Sequence, residues 1–191
     1  MQGGKAMSWE RIMDFSLDAV AFALPLGFLF FVGIIIVRKG SLRRRDAVLT
    51  LFVTYLAALL KITALRQVGL SAVFETHSMS SIQPIPLIYT VQELGNGLWA
   101  FLYPVLGNII WFVPMGFFLP WLWRGIRKRT VLLIAAMSSL SIEFCQWLLQ
   151  SGVSDIDDVI FNSLGALIGY WLFVAIFQNL CYAVRKEMSE K

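Results

Sequence analysis

The stretch Leu17–Val37 reads LDAVAFALPLGFLFFVGIIIV, and the basic segment RKGSLRRRD follows it directly at residues 38–46. At about 1.5 Å of rise per residue, a helix of this length crosses a hydrocarbon core of roughly 30 Å. Short loops rich in Lys and Arg stay in the cytoplasm. The stretch therefore predicts a first membrane helix that runs from the outside to the inside.

Further apolar runs follow, and basic residues occupy every second gap between the runs. A second basic gap lies at 124–129 and the tail is basic, whereas Arg66 is the single Lys or Arg in the segments 66–97 and 150–158. This alternation predicts an all-α polytopic membrane helix bundle of about five transmembrane helices, with the N-terminus outside and the C-terminus inside. The expected spans are 17–37, 47–65, 106–123, 131–149 and 158–181.

The composition agrees with a membrane protein. Hydrophobic residues make up 58% of the chain and the mean hydropathy is +0.72, whereas soluble domains usually contain roughly 45–50% apolar residues. The formal charge of +4 reflects the basic cytoplasmic loops, so we expect no nucleic-acid partner. The length suits one membrane domain, residues 1–191, with 66–97 as an extracytoplasmic loop.

Polar side chains inside the runs fall near the predicted outer surface. Lys61 lies about one turn from the outer end of the second helix, and Glu143 about two turns from that of the fourth. Ionisable side chains are costly in a bilayer, so both should face the bundle interior or a wet cavity. Gln146 and Asn162 lie on polar stripes, and Asn108 begins the third helix at a similar depth. The sequence therefore predicts an outward-facing polar pocket.

Three acids, Asp155, Asp157 and Asp158, stand at the start of the fifth helix. Ser154 and Asp157 fit a capping box, and acids suit the positive end of the helix dipole. Capping does not account for all three acids, so a divalent cation at these residues is an alternative, although no fixed ligand spacing supports it. No other metal or cofactor is expected, because the chain has a single His and no nucleotide-binding motif.

Four ordered pieces of sequence resemble the signatures of the VanZ-like family. They are QPIPL at 83–87, NIIWFVPMG at 108–116, SIEFCQ at 141–146 and DIDD at 155–158, the last followed by Asn162, Gly165 and Gly169. The resemblance covers about residues 50–172. It implies a multi-pass protein of the bacterial cytoplasmic membrane, and the family's founding member is associated with reduced susceptibility to the glycopeptide teicoplanin. By position, Asn108, Glu143, Gln146, Asp155, Asp158 and Asn162 carry over as the family's polar residues.

The leading hypothesis is that the pocket binds an envelope lipid or a lipid-linked cell-wall precursor. Lys61 and Arg66 would meet a phosphate as positive donors. The other residues expected to contact such a ligand are Gln83, Asn108, Gln146, Asp155, Asp157 and Asn162.

Two further hypotheses stay open. The protein could be an enzyme acting on such a lipid, with Glu143 as general base and Asp158 as its partner. It could instead be a scaffold that recruits cell-wall enzymes, with the polar residues only holding the helices together. For Lys61 and Glu143 a separate alternative is a structural ion pair between the second and fourth helices. The small-xxx-small pattern Gly165–Gly169 is most simply a packing face, and it also leaves a homo-oligomer open.

Overall fold

A computed structural model describes residues 9–65 and 82–189 of the chain, with side chains described over 13–65 and 82–177. Arg66 therefore lies outside the described residues. Long helices dominate the described part, and two short strands and one short helix join them. The elements are α1 (Trp9–Val37), α2 (Arg44–Thr63), β1 (Ile82–Gln83), α3 (Ile88–Gln92) with a 3₁₀ turn (Glu93–Asn96), α4 (Leu98–Leu122), α5 (Lys128–Leu148), β2 (Ser154–Asp155) and α6 (Ile156–Ser189).

Five of the described helices are long and apolar enough to cross a membrane. These segments are Met13–Val37, Arg44–Thr63, Leu98–Leu122, Lys128–Leu148 and Ile156–Phe177. The prediction of a five-helix membrane bundle is thereby confirmed. The third span begins earlier than the expected residue 106, because α4 continues through Pro104 from a start set by Gly97, whose φ is +114°.

The closest helix packing joins α4 to α6 through glycines. A Cβ atom on Gly165 would collide with the carbonyl oxygen of Ile109, and one on Gly169 with the carbonyl oxygen of Val113. The absence of side chains at these positions lets the two backbones approach. The predicted packing role of the glycine pattern is confirmed, and the face is used within the chain.

The interior is apolar and is centred on α4. Tyr55 of α2 donates a hydrogen bond from its hydroxyl to the carbonyl oxygen of Trp111 at 2.8 Å, which fixes α2 against α4. Helix α1 packs chiefly against α2. The buried core side chains are Leu59, Phe112, Met115, Leu119, Val131, Ala135, Ile142 and Ala166.

The segment between α2 and α4 is tied to the start of α6. Ile82 pairs with Ser154, and Gln83 with Asp155, in a two-stranded parallel sheet. Leu87 then adopts a φ of +66° and turns the chain into α3. The sequence did not predict this strand pairing.

Candidate functional site

A cavity of about 450 Å³ opens at the end of the bundle where α2 and α5 end and α4 and α6 begin. We call this end the cavity end. The walls include Phe15 of α1 and the aromatic side chains Trp99, Tyr103 and Trp111 of α4. The polar lining residues are Ser16, Thr63, Asn108, Gln146 and Asp158.

The cavity continues onto the apolar outside of the bundle. Leu106 and Ile110 belong to its lining, yet 43% and 63% of their respective surfaces are exposed. In a membrane, such exposed apolar side chains face lipid. A molecule in the cavity can therefore keep contact with the acyl chains of the bilayer.

The polar side of the cavity is built by contacts between helices. Asn108 of α4 donates from Nδ2 to Oδ1 of Asp158 in the first turn of α6, at 2.5 Å. Gln146 donates from Nε2 to the carbonyl oxygen of Thr63 at 3.4 Å, and its Oε1 is buried without a partner among the described residues. The cavity therefore presents a carboxylate and amide groups beside aromatic walls.

Glu143 lies outside this lining and is engaged by the backbone. Its side chain is only 7% exposed, and its Oε2 accepts a hydrogen bond from the N–H of Asp155 at 2.9 Å. The Ser154 hydroxyl donates to the carbonyl oxygen of Glu143 at 2.6 Å. Glu143 thus holds β2 against the end of α5.

Asp157 links the start of α6 to the segment before α4. Its side chain is 1% exposed, and its carboxylate accepts hydrogen bonds from the N–H of Leu87 at 2.7 Å and from the hydroxyl of Thr90. We call Glu143, Ser154, Asp155 and Asp157 the acidic brace. The brace fixes β1, β2 and α3 beside the cavity.

The predicted capping box at Ser154 and Asp157 is wrong. Because β2 occupies 154–155, the helix begins at Ile156, and Asp155 is the residue that caps it, accepting from the N–H of Asp157 at 2.9 Å. Burial raises the pKa of the Asp155 carboxyl above its ordinary value, and this hydrogen bond offsets only part of the rise.

The three acids at the start of α6 have separate partners rather than a shared centre. Asp155 caps the helix, Asp157 binds α3, and Asp158 meets Asn108 of α4. Within the described residues, no group of three or more His, Cys, Asp or Glu side chains is placed to hold a metal ion.

The VanZ/LLP1 family model matches residues 52–178. This chain belongs to the VanZ/LLP1 family. No curated protein and no solved structure matches it. The polar cavity residues, apart from Ser16 of α1, and the whole acidic brace lie inside the matched region, so in this VanZ/LLP1 protein the site belongs largely to the family portion of the chain.

The structure distributes the predicted site residues of the VanZ/LLP1 protein among different contacts. Asn108, Gln146 and Asp158 line the cavity together. The strand pairing includes Gln83, and the acidic brace includes Glu143, Asp155 and Asp157. Asn162 is buried and donates from Nδ2 to the Ser139 hydroxyl at 2.7 Å, which ties α6 to α5.

Lys61 does not meet the acids. Its Nζ lies over the ring of Phe22 in α1, 5.9 Å from the ring centroid. Within residues 13–65 and 82–177, Lys61 forms no ion pair with Glu143, whereas Arg38 pairs with Asp46 at 3.0 Å. The structural alternative of a Lys61–Glu143 pair is therefore wrong.

Sequence reasoning did not assign the aromatic walls or Thr63 to the site. Trp99 and Tyr103 fit an aromatic belt at a span end, which is the usual place of such residues in membrane helices. Their spacing of four residues places both on one face of α4, and this was the available signal.

Proposed function

We propose that this VanZ/LLP1 protein binds a membrane amphiphile in the cavity, either an envelope lipid or a lipid-linked cell-wall precursor, and thereby lowers susceptibility to glycopeptides such as teicoplanin. The observation that carries the proposal is the continuity of a polar-lined cavity with the apolar surface at Leu106 and Ile110. An amphiphile needs both surfaces at once, because its headgroup requires polar partners and its chains require lipid or apolar protein.

The size of the cavity supports this class of ligand. A volume of about 450 Å³ falls within the roughly 300–1,000 Å³ typical of small-molecule sites. A headgroup fits this space, whereas two full acyl chains do not. The chains would leave the cavity across Leu106 and Ile110 into the bilayer.

The charge pattern supports an outward-facing cavity. The loops 38–43 and 123–127, at the end opposite the cavity, carry the basic residues Arg38, Lys39, Arg43, Arg124 and Arg127. By the positive-inside rule we expect these loops in the cytoplasm, with the N-terminus and the cavity outside and the C-terminus inside. In the bacterial cytoplasmic membrane, the cavity would then face the leaflet where cell-wall precursors are exposed.

The contacts of Glu143 favour a structural role over catalysis at this residue. A general base must reach the proton that it removes, within about 2.6–3.2 Å or through one water. Glu143 is buried outside the cavity lining and already accepts the Asp155 N–H. Asp158 is the carboxylate that lines the cavity, so it is the residue to change in a functional test.

Teicoplanin susceptibility of a sensitive Gram-positive host tests the proposal. The host carries no protein, wild type, Asp158→Asn or Asp18→Asn, with membrane abundance matched by blotting. Asp18 is exposed on α1 and loses the same charge, so it is the matched control. We expect wild type and Asp18→Asn to raise the inhibitory concentration, and Asp158→Asn to return it to the level without protein.

Two results would contradict the proposal. Equal protection by Asp158→Asn and wild type would show that the cavity is not needed for protection. Lack of protection by abundant wild type would show that the protein does not lower glycopeptide susceptibility.

A further inference from the structure

The charge on the cavity lining has one sign. Asp158 is acidic, and among the described residues no Lys or Arg lines the cavity. The start of α6 adds Asp155 and Asp157 just before Asp158. Lys61 precedes the lining residues Ile62 and Thr63 in α2, but its side chain extends over Phe22 instead of into the cavity. The described surroundings therefore favour a cation and disfavour a phosphate inside the cavity.

The aromatic walls favour a cation as well. Trp99, Tyr103 and Trp111 all contribute to the lining, and the ring centroids of Trp99 and Tyr103 lie 6.4 Å apart. Aromatic ring faces attract ammonium groups, most strongly where water is excluded. A carboxylate beside several aromatic rings is a combination suited to ammonium recognition.

The hydrogen-bond acceptors of the lining indicate which kind of ammonium group fits the cavity. Gln146 Oε1 is a buried acceptor without a partner among the described residues. Among the described residues, Asn108 donates a hydrogen bond to Asp158, and a carboxylate has about four acceptor positions. A primary ammonium brings three donors and no acceptor, so it complements a lining that offers these acceptors.

We propose that the amphiphile carries a primary amine on its headgroup, and that Asp158 and Gln146 accept its hydrogen bonds beside the aromatic wall of Trp99 and Tyr103. This inference rests on the proposed function, because it names the ligand class of the same cavity. A headgroup phosphate stays at the mouth of the cavity, outside the acidic surroundings.

Lipid retention by the purified full-length protein tests the inference. The protein in detergent receives equimolar phosphatidylethanolamine and phosphatidylglycerol with identical acyl chains, and retained lipid is counted by native mass spectrometry. We expect wild type and Asp18→Asn to retain phosphatidylethanolamine preferentially. Asp158→Asn should lose about tenfold in retention of this lipid, the factor expected from one charge-assisted hydrogen bond. Its retention of phosphatidylglycerol should not fall.

A second variant covers the case in which Asp158→Asn does not fold. Trp99→Leu keeps an apolar wall and removes a ring, so retention of phosphatidylethanolamine should fall about threefold, with phosphatidylglycerol unchanged. Free ethanolamine at the same concentration as the lipid should not displace it. Displacement by ethanolamine would overturn the requirement for an amphiphile.

The outcomes separate this inference from the proposed function. Retention of neither lipid by wild type would overturn this inference, whereas the proposed function is contradicted by the two results of the teicoplanin test. Retention of phosphatidylglycerol as well as or better than phosphatidylethanolamine, with no change of the ratio in Asp158→Asn and Trp99→Leu, would overturn the amine and leave amphiphile binding intact.

Discussion

At the scale of single residues, Glu143 shows how a carboxyl group can lie within a membrane span for structural reasons. A buried backbone N–H without a partner costs free energy comparable to a lost hydrogen bond. The backbone N–H of Asp155 is buried, and the Glu143 side chain supplies its acceptor. The hydrogen bond to the Asp155 N–H, which also fixes the position of β2, offsets the free-energy cost of placing an ionisable side chain in the span.

Glu143→Gln should therefore keep most of the stability, because the amide oxygen of Gln can accept the same hydrogen bond. Glu143→Leu removes the acceptor and should lower the free energy of unfolding by about 1–3 kcal/mol. Thermal unfolding of the purified proteins in detergent measures both changes. Loss of teicoplanin protection in a stable, equally abundant Glu143→Gln protein would contradict the structural role and restore Glu143 as a functional residue.

At the scale of helices, the contact between α4 and α6 depends on glycine. Gly169 faces the carbonyl oxygen of Val113 and the amide of Phe117, so the space for a side chain is filled by backbone. Backbone cannot move aside as a flexible side chain can. The position therefore tolerates no enlargement without separation of the two helices that carry Asn108 and Asp158.

Gly169→Ala should lower the free energy of unfolding by about 1–3 kcal/mol or more, the usual cost of overpacking. Gly33→Ala on α1 is the matched control, because a Cβ there meets nothing within 4 Å. Membrane abundance and thermal unfolding of the two variants check the prediction. Equal stability of Gly169→Ala and Gly33→Ala would show that α4 and α6 are not so close.

The segment 82–97 depends in the same way on one side chain of α6. The Asp157 carboxylate accepts hydrogen bonds from the N–H of Leu87 and from the hydroxyl of Thr90, and so holds the chain at both residues. Asp157→Ala should release both groups, and amide hydrogen exchange in residues 82–97 should accelerate. Thr90→Val removes only the hydroxyl contact and should have a smaller effect. Unchanged exchange in Asp157→Ala would mean that the strand pairing alone holds the segment.

At the scale of the whole molecule, the number and order of the spanning helices could be predicted from the sequence because they depend on local runs of apolar residues. The direction of Lys61 could not be predicted, because it depends on where Phe22 of another helix lies. The capping of α6 was mispredicted for a similar reason. The pairing of Ser154 and Asp155 with the distant residues Ile82 and Gln83 decides where that helix begins.

The proposed orientation predicts which loops reagents reach from outside the cell. In a background without Cys145 and Cys181, Asn96→Cys at the cavity end should react with a membrane-impermeant maleimide in intact cells. Ser41→Cys, exposed in the loop between α1 and α2, should react only after lysis. The reverse pattern would invert the topology and place the cavity on the cytoplasmic side.

The pairing of β1 with β2 has a consequence for biosynthesis. Residues 82–97 leave the ribosome long before α6, yet their strand partner and the Asp157 carboxylate arrive only with that last span. Until then the Leu87 amide and the Thr90 hydroxyl have only water or lipid headgroups as partners. Asp158 arrives at the same moment, so a chain released before its last helix has inserted contains every aromatic wall of the cavity but not its carboxylate. If the cavity binds a ligand as proposed, we expect binding only after α6 has been synthesised and inserted.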